Sequence, residues 1–202
     1  MTPTSHVIRV KATLYENAFH YSRLKSRYAE RLVAIPMLIT RLAKIVMCLV
    51  LGGFCVLVAF NNVTDYATNY VFVQHVLSMD TTLPDSNLKY RAISSPVLWQ
   101  MAYAAIIATE ALTGVLFIAG AASLWRARLA PADTFNRAKG YAIAAATLAF
   151  LIWFFGFMVV GGEWFAMWES KTWNGQEAAF RMFTVIGIAL LLLVQPDHAE
   201  QP

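Results

Sequence analysis

Apolar residues along this chain gather into four runs, about Leu42 to Phe60, Val97 to Leu124, Tyr141 to Val160 and Ala178 to Val194. A helix needs about 20 predominantly apolar residues to cross a bilayer core, and these runs fall near that length. Lipid offers the backbone no hydrogen-bond partner, so each spanning segment must satisfy its own groups as a helix. The pattern predicts an all-α integral membrane four-helix bundle with spans at about 42–60, 97–124, 141–160 and 178–194.

Two of the intervening segments carry pattern of their own. The first, Asn61 to Pro96, is 36 residues long, too long for a plain connection. Within it Tyr66, Tyr70, Val73, Val76 and Leu77 recur at helical spacing and predict a short helix lying along the membrane surface. The stretch TTLPDSN then supplies turn chemistry. Ser94 or Ser95 suits the cap of the second span and Pro96 its first turn. The last interval, GGEWFAMWESKTWNGQEAAFR at 161–181, holds three of the six Trp, three Glu, one Lys and one Arg. A water-exposed linker has no need of so many aromatics, and a buried one does not tolerate so many charges. Amphipathic Trp favours the membrane boundary, so the segment reads as a structured cap. Asn174-Gly175 makes a turn into the last helix, with Glu177 in its first turn.

Composition agrees with this layout, and charge adds a direction. The 202 residues are 58% hydrophobic and 14% charged, against about 25% charged in average soluble domains. Eight Lys/Arg precede span one (Arg9, Lys11, Arg23, Lys25, Arg27, Arg31, Arg41, Lys44) and two follow it (Lys89, Arg91). Four lie between spans two and three (Arg126, Arg128, Arg137, Lys139), then two more, Lys171 and Arg181. The alternation follows the positive-inside rule: both termini and the 125–140 loop are expected to be cytoplasmic and the two longer loops extracytoplasmic. The basic excess is thereby explained by topology and anionic headgroups, with no nucleic-acid partner implied. No secretory signal is apparent. One membrane domain is expected at 37–197, preceded by a basic arm at 1–36, amphipathic or disordered, and followed by a tail at 198–202. Met37 is an alternative start. Cys48 and Cys55 are seven apart on span one, roughly 10 Å along a helix, too far for a disulfide.

The sharpest chemical candidate is Glu110, midway through span two. An ionisable group at that depth must face the bundle interior with a partner or be neutral. It reads as interhelical glue bonded to Thr113, Thr147, Thr184 or a helix carbonyl, as a proton or cation site, or as a contact for lipid, quinone or a partner. The remaining candidates form the proposed extracytoplasmic cap: Asn61, Asn62, Asp65, Tyr66, His75, Glu163, Trp164, Trp168, Trp173, Asn174, Glu177 and Arg181. Glu177 and Arg181 are four apart, an ordinary helical pair, unless Arg181 reaches Glu163 or Asp65 across the cap. His75 and Met79 share a helical face, but one His without a second strong donor is a poor metal or haem site. No HExxH, CxxC, phosphate loop or convergent Ser-His-Asp set occurs. Neither a catalytic residue nor a metal or cofactor is expected. Gly114, Gly120 and many Ala make span two small-sided, suited to packing on the YAIAAATLA opening of span three. The bulky WFFGFM at 153–158 is suited to lipid or a partner.

VAFNNVTDYATNYVFVQHVLSMDTT at 58–82, Arg91-Ala92-Ile93, Ser95-Pro96, Glu110 and the 161–181 segment together resemble a bacterial group of predicted small integral membrane proteins of unknown function. The resemblance covers about residues 38–197. It implies a four-span inner-membrane protein and brings no activity, ligand or catalytic residue. The leading expectation is a non-enzymatic accessory or interaction subunit, or a small self-associating protein, in the bacterial inner membrane. Its partners would be the bilayer and another membrane protein or a second copy. Alternatives are an oligomeric proton or cation transporter or channel subunit using Glu110, and a quinone, lipid or haem binder serving a redox complex.

Overall fold

The computed structural model describes the backbone of residues 3–197, and the side chains of 35–197 with Tyr21, Arg23 and Lys25. The tail expected at 198–202 lies outside the described residues. Two compact units occur, one running to Arg41 and the other beginning at Leu42. Every regular element among the described residues is helical. The α-helices are α1 (Pro3–Thr64), α2 (Tyr66–Ser78), α3 (Pro96–Ala127), α4 (Ala132–Arg137), α5 (Gly140–Phe150) and α6 (Gln176–Val194). A π-helical stretch, Leu151–Trp164, continues α5, and two single 3-10 turns lie at Lys89–Arg91 and Met167–Glu169. Among the described residues the first unit is the leading part of α1, and the second holds the rest of α1 and every other element.

Four helical stretches are long and apolar enough to cross a membrane: Ile35–Thr64, Pro96–Ala127, Ala132–Trp164 and Gln176–Val194. Each contains one of the four runs read from the sequence. The helices outlast the apolar runs because polar flanks continue the backbone ladder. Only 22–39% of each apolar window is buried inside the chain, so most of every helix faces outward. Val50, Leu57, Val115, Phe155 and Leu191 belong to that outer face, each more than half exposed. In water such a band is an aggregation surface; in lipid it is the natural exterior of a small bundle.

Small residues hold the helices together. A Cβ added to Gly120 of α3 would lie 2.7 Å from the Ala142 nitrogen of α5, so those backbones touch, as the small-sided spans predicted. On the other side of α3, a Cβ on Gly114 would meet Val56 Cγ2 at 2.7 Å and the Gly52 carbonyl at 3.1 Å, both on α1. Between lipid-soluble helices there is little hydrophobic driving force, so close van der Waals approach supplies the adhesion.

Several local expectations change. The 125–140 connection contains the short helix α4. Ser95 occupies the position before α3 and Pro96 its first turn, but the Ser95 hydroxyl makes no capping bond; its carbonyl accepts from Trp99 N at 3.1 Å instead. The helix read at 66–77 is α2, and TTLPDSN is a run of turns. Asn174 Oδ1 accepts from Gln176 N at 3.1 Å and Gly175 precedes α6, as the Asn-Gly turn required. The largest departure is the π-stretch, read from sequence as ordinary helix. Its 14 π-helical residues greatly exceed the single-turn bulges in which this geometry usually occurs.

Candidate functional site: a polar core beside an apolar groove

Polar side chains of the bundle interior converge on Glu110, which α3 carries to a position 3% exposed. Its Oε2 accepts a hydrogen bond from Asn62 Nδ2 of α1 at 2.8 Å. Asn62 Oδ1 accepts in turn from Asn69 Nδ2 of α2 at 2.7 Å. The Tyr103 hydroxyl donates to the Asn62 carbonyl at 3.2 Å, satisfying one of the carbonyls that the end of α1 leaves without a helical partner. Tyr103 is itself 1% exposed and lies edge-on to Tyr66 at 4.7 Å between ring centres. The partner of Glu110 is therefore none of those anticipated. Thr113 and Thr147 spend their hydroxyls on Thr109 and Ile143 carbonyls of their own helices. Glu110 Oε1 accepts no hydrogen bond among the described residues.

Glu110, Asn62, Asn69, Tyr103 and Trp153 help line a cavity of about 240 Å³. Against it lies a larger groove of about 530 Å³, walled by apolar residues of α2, α3, α5 and the π-stretch, with Thr109 adding a hydroxyl. Phe72, Val73, Ile106 and Phe157 line both spaces. The π-stretch shapes the groove. Its i→i+5 bonding stacks Gly161 over Gly156, so that a Cβ on Gly161 would lie 3.5 Å from the Gly156 carbonyl. Both glycines line the groove, and a Cβ on Gly156 would have nothing closer than 3.9 Å.

The two long connections fold onto one another at this end of the bundle. Glu169 accepts from Leu83 N at 3.1 Å and from Ser86 Oγ at 3.2 Å, and Thr81 and Ser170 hydroxyls meet at 2.8 Å. Arg91 donates to the Trp164 carbonyl at 3.2 Å and the Glu163 carbonyl at 3.4 Å, with its guanidinium 4.7 Å from the Trp164 ring centre. His75 stacks on Trp173 at 4.6 Å and bonds Asp80 at 2.8 Å. Beneath these contacts Val76, Met79, Phe165, Ala166 and Met167 form a small core of their own. Met79 and Ala166 adopt left-handed backbone, φ 52° and 49°, at a cost glycine would avoid.

Of the proposed cap residues, His75 thus meets Trp173, and Trp164 and the Glu163 carbonyl meet Arg91. Asn174 serves the turn before α6, Asn61 accepts Asp65 N through its carbonyl, and Asp65 accepts from Thr68. Asn62 belongs to the polar core. Arg181 does not cross the cap: it pairs with Glu177 one turn away, both exposed, because the next carboxylate of its own helix lies within reach without ordering a loop. Among the described residues no group of three His, Cys, Asp or Glu is placed to hold a metal ion.

At the opposite end lies a cluster that no sequence pattern announces. Asp197 accepts from Lys44 at 2.8 Å and Lys139 at 3.1 Å, with all three side chains under 8% exposed. Both lysines also donate to the Gln195 carbonyl, at 3.3 and 2.6 Å. Asn136 closes the knot, donating to the Asp197 carbonyl and accepting from its nitrogen at 2.9 Å each. Only Asn136 and Lys139, three apart and bonded at 2.8 Å, are local to one another; Lys44 and Asp197 lie far from both along the chain, so nothing in the sequence joins the four.

A four-span chain with this loop signature matches the family model for predicted small integral membrane proteins (DUF2165) over residues 40–196. The chain belongs to the DUF2165 family. No curated protein and no solved structure matches it. The family description carries no activity, so a reading of function for this DUF2165 member rests on the polar core, the groove and the folded connections themselves.

Proposed function

We propose that the chain is a non-enzymatic accessory or interaction subunit of a membrane assembly, seated in the bacterial inner membrane. Its working surface in this reading is the pair of folded connections. The observation that carries it is that these segments are held by cross-links such as Glu169 to Leu83 and Ser86, while Trp164 and Trp168 remain 53% and 52% exposed. Ordered backbone presenting large unburied aromatics favours a protein interface. The alternation of basic residues supports cytoplasmic termini and an extracytoplasmic position for this surface. Partners are the bilayer and another membrane protein or a second copy of the chain, with no nucleic acid.

Purification from the native membrane in mild detergent is expected to retain a partner protein or a homo-oligomer, and Trp168→Ala to weaken that association. A chain that runs alone as a monomer would count against the proposal.

The Asn69–Asn62–Glu110 chain, which leads from an exposed amide to a buried carboxyl, favours a second reading. In it an oligomer passes protons or cations by way of Glu110. Proteoliposome flux unchanged by Glu110→Gln would dispose of that reading.

A further inference from the structure

Binding pockets for small molecules are mostly apolar, with a few polar groups that fix orientation, and typically measure roughly 300–1,000 Å³. The groove and the polar cavity beside it together meet that description. We infer that they form one binding site for an uncharged amphiphile of the quinone class, its isoprenoid chain in the groove and its oxygen-bearing ring at Glu110.

Four features of the site select this occupant. The groove is lined by side chains that offer a polar group only at Thr109, so what fills it is hydrocarbon. The polar compartment, about 240 Å³, has room for a substituted ring, with the Glu110 carboxyl on its wall. No Lys or Arg lines either space, leaving a lipid phosphate without a counter-charge beside an acidic residue. Finally, the two spaces share aromatic walls, Phe72 and Phe157. Phe72 and Phe157 lie nearly parallel at 6.1 Å, and Trp153 and Phe157 at 5.2 Å, geometry that accepts a flat ring by offset stacking.

Glu110 Oε1 is the group that makes the site specific. The residue is only 3% exposed, and Asn62 engages its other oxygen. Oε1 is left to accept from a ring hydroxyl, or to donate to a ring carbonyl when the acid is protonated. The proposal concerns binding, and no electron transfer is part of it.

The test uses the full chain purified in mild detergent. It is incubated with a benzoquinone bearing a short isoprenoid chain, with the corresponding quinol, or with phosphatidylglycerol. The protein is then re-isolated by gel filtration, and bound lipid is extracted and quantified. Wild type is expected to retain about one quinone or quinol per chain, as a single pocket requires. Gly156→Phe, which fills the groove from open space, and Glu110→Leu are each expected to reduce retention roughly tenfold, the effect of about 1.4 kcal/mol. Phosphatidylglycerol retention is expected to be equal in all three proteins. Gly156→Phe keeps the test valid if Glu110→Leu fails to fold. Absence of stoichiometric quinone on wild type, full retention by Gly156→Phe, or phosphatidylglycerol displaced by that substitution would each overturn the inference. None of these outcomes bears on whether a protein partner co-purifies.

Discussion

Asn62 makes two side-chain hydrogen bonds that join three helices, one to Glu110 and one from Asn69. Its removal leaves a buried carboxyl with no described partner. Intramembrane hydrogen bonds are on average worth no more than those of soluble proteins, yet a buried polar group stripped of its partner costs more than the bond itself. Asn62→Ala is therefore expected to lower stability by about 1–2 kcal/mol, read from thermal unfolding in detergent. Arg181→Ala is the contrasting case. Its pair with Glu177 is solvent-exposed and local, and its loss is expected to cost under about 0.5 kcal/mol. A larger loss from Arg181→Ala would restore the cross-cap role that its geometry denies. That Glu110 would face the bundle interior with a partner was legible from its depth alone, because an acid among apolar residues is costly when exposed to lipid. Its partner was not legible, since Asn62 lies 48 positions away near the end of another helix and reads locally as loop.

Helix contact in this bundle depends on where side chains are missing. Gly120 and Gly53 look alike in sequence, each within an apolar span. A Cβ on Gly120 would fall 2.7 Å from the Ala142 backbone, whereas one on Gly53 would meet nothing within 4 Å. Gly120→Ala is expected to destabilise by about 1–3 kcal/mol through overpacking. Gly53→Ala should be neutral or gain up to about 1 kcal/mol from helix propensity. Thermal unfolding of the two variants side by side checks the pair, and equal responses would contradict the packing. The π-stretch makes the same point for register. Gly156 and Gly161 are five apart, which in an α-helix places them on different faces, and i→i+5 bonding stacks them. Hydrophobic runs reveal that a helix exists but not how tightly it is wound, because an apolar segment is equally apolar in either winding.

For the molecule as a whole, the two ends are secured differently. One end is closed by folded connections and the other by Asp197 between Lys44 and Lys139, tying the chain after α6 back to α1 and to the α4–α5 junction. Removing the acid leaves two buried ammonium groups facing each other. Asp197→Ala is expected to cost about 3–5 kcal/mol, seen as a lowered unfolding midpoint. A change under about 1 kcal/mol would show the lysines to be solvated in the membrane-embedded protein. The proposed orientation is checked by labelling. With Cys48 and Cys55 replaced by Ala, a cysteine at Leu83 or Trp168 should react with an impermeant maleimide applied outside intact cells, and one at Arg137 should not. The reverse pattern would invert the topology.

The four spans, the helix at 66–78 and the Asn174-Gly175 turn follow from sequence because hydropathy, spacing and turn chemistry are local and survive without knowledge of neighbours. So does family membership, since the family model matches the residue pattern along 40–196. What tertiary structure alone decided is partnership: Asn62 for Glu110, Glu177 for Arg181, Lys44 and Lys139 for Asp197, and a groove opened by two stacked glycines. Each depends on which helix lies beside which and at what rotation. In lipid, small residues on several faces permit several such packings, so the choice among them lies in the assembled bundle.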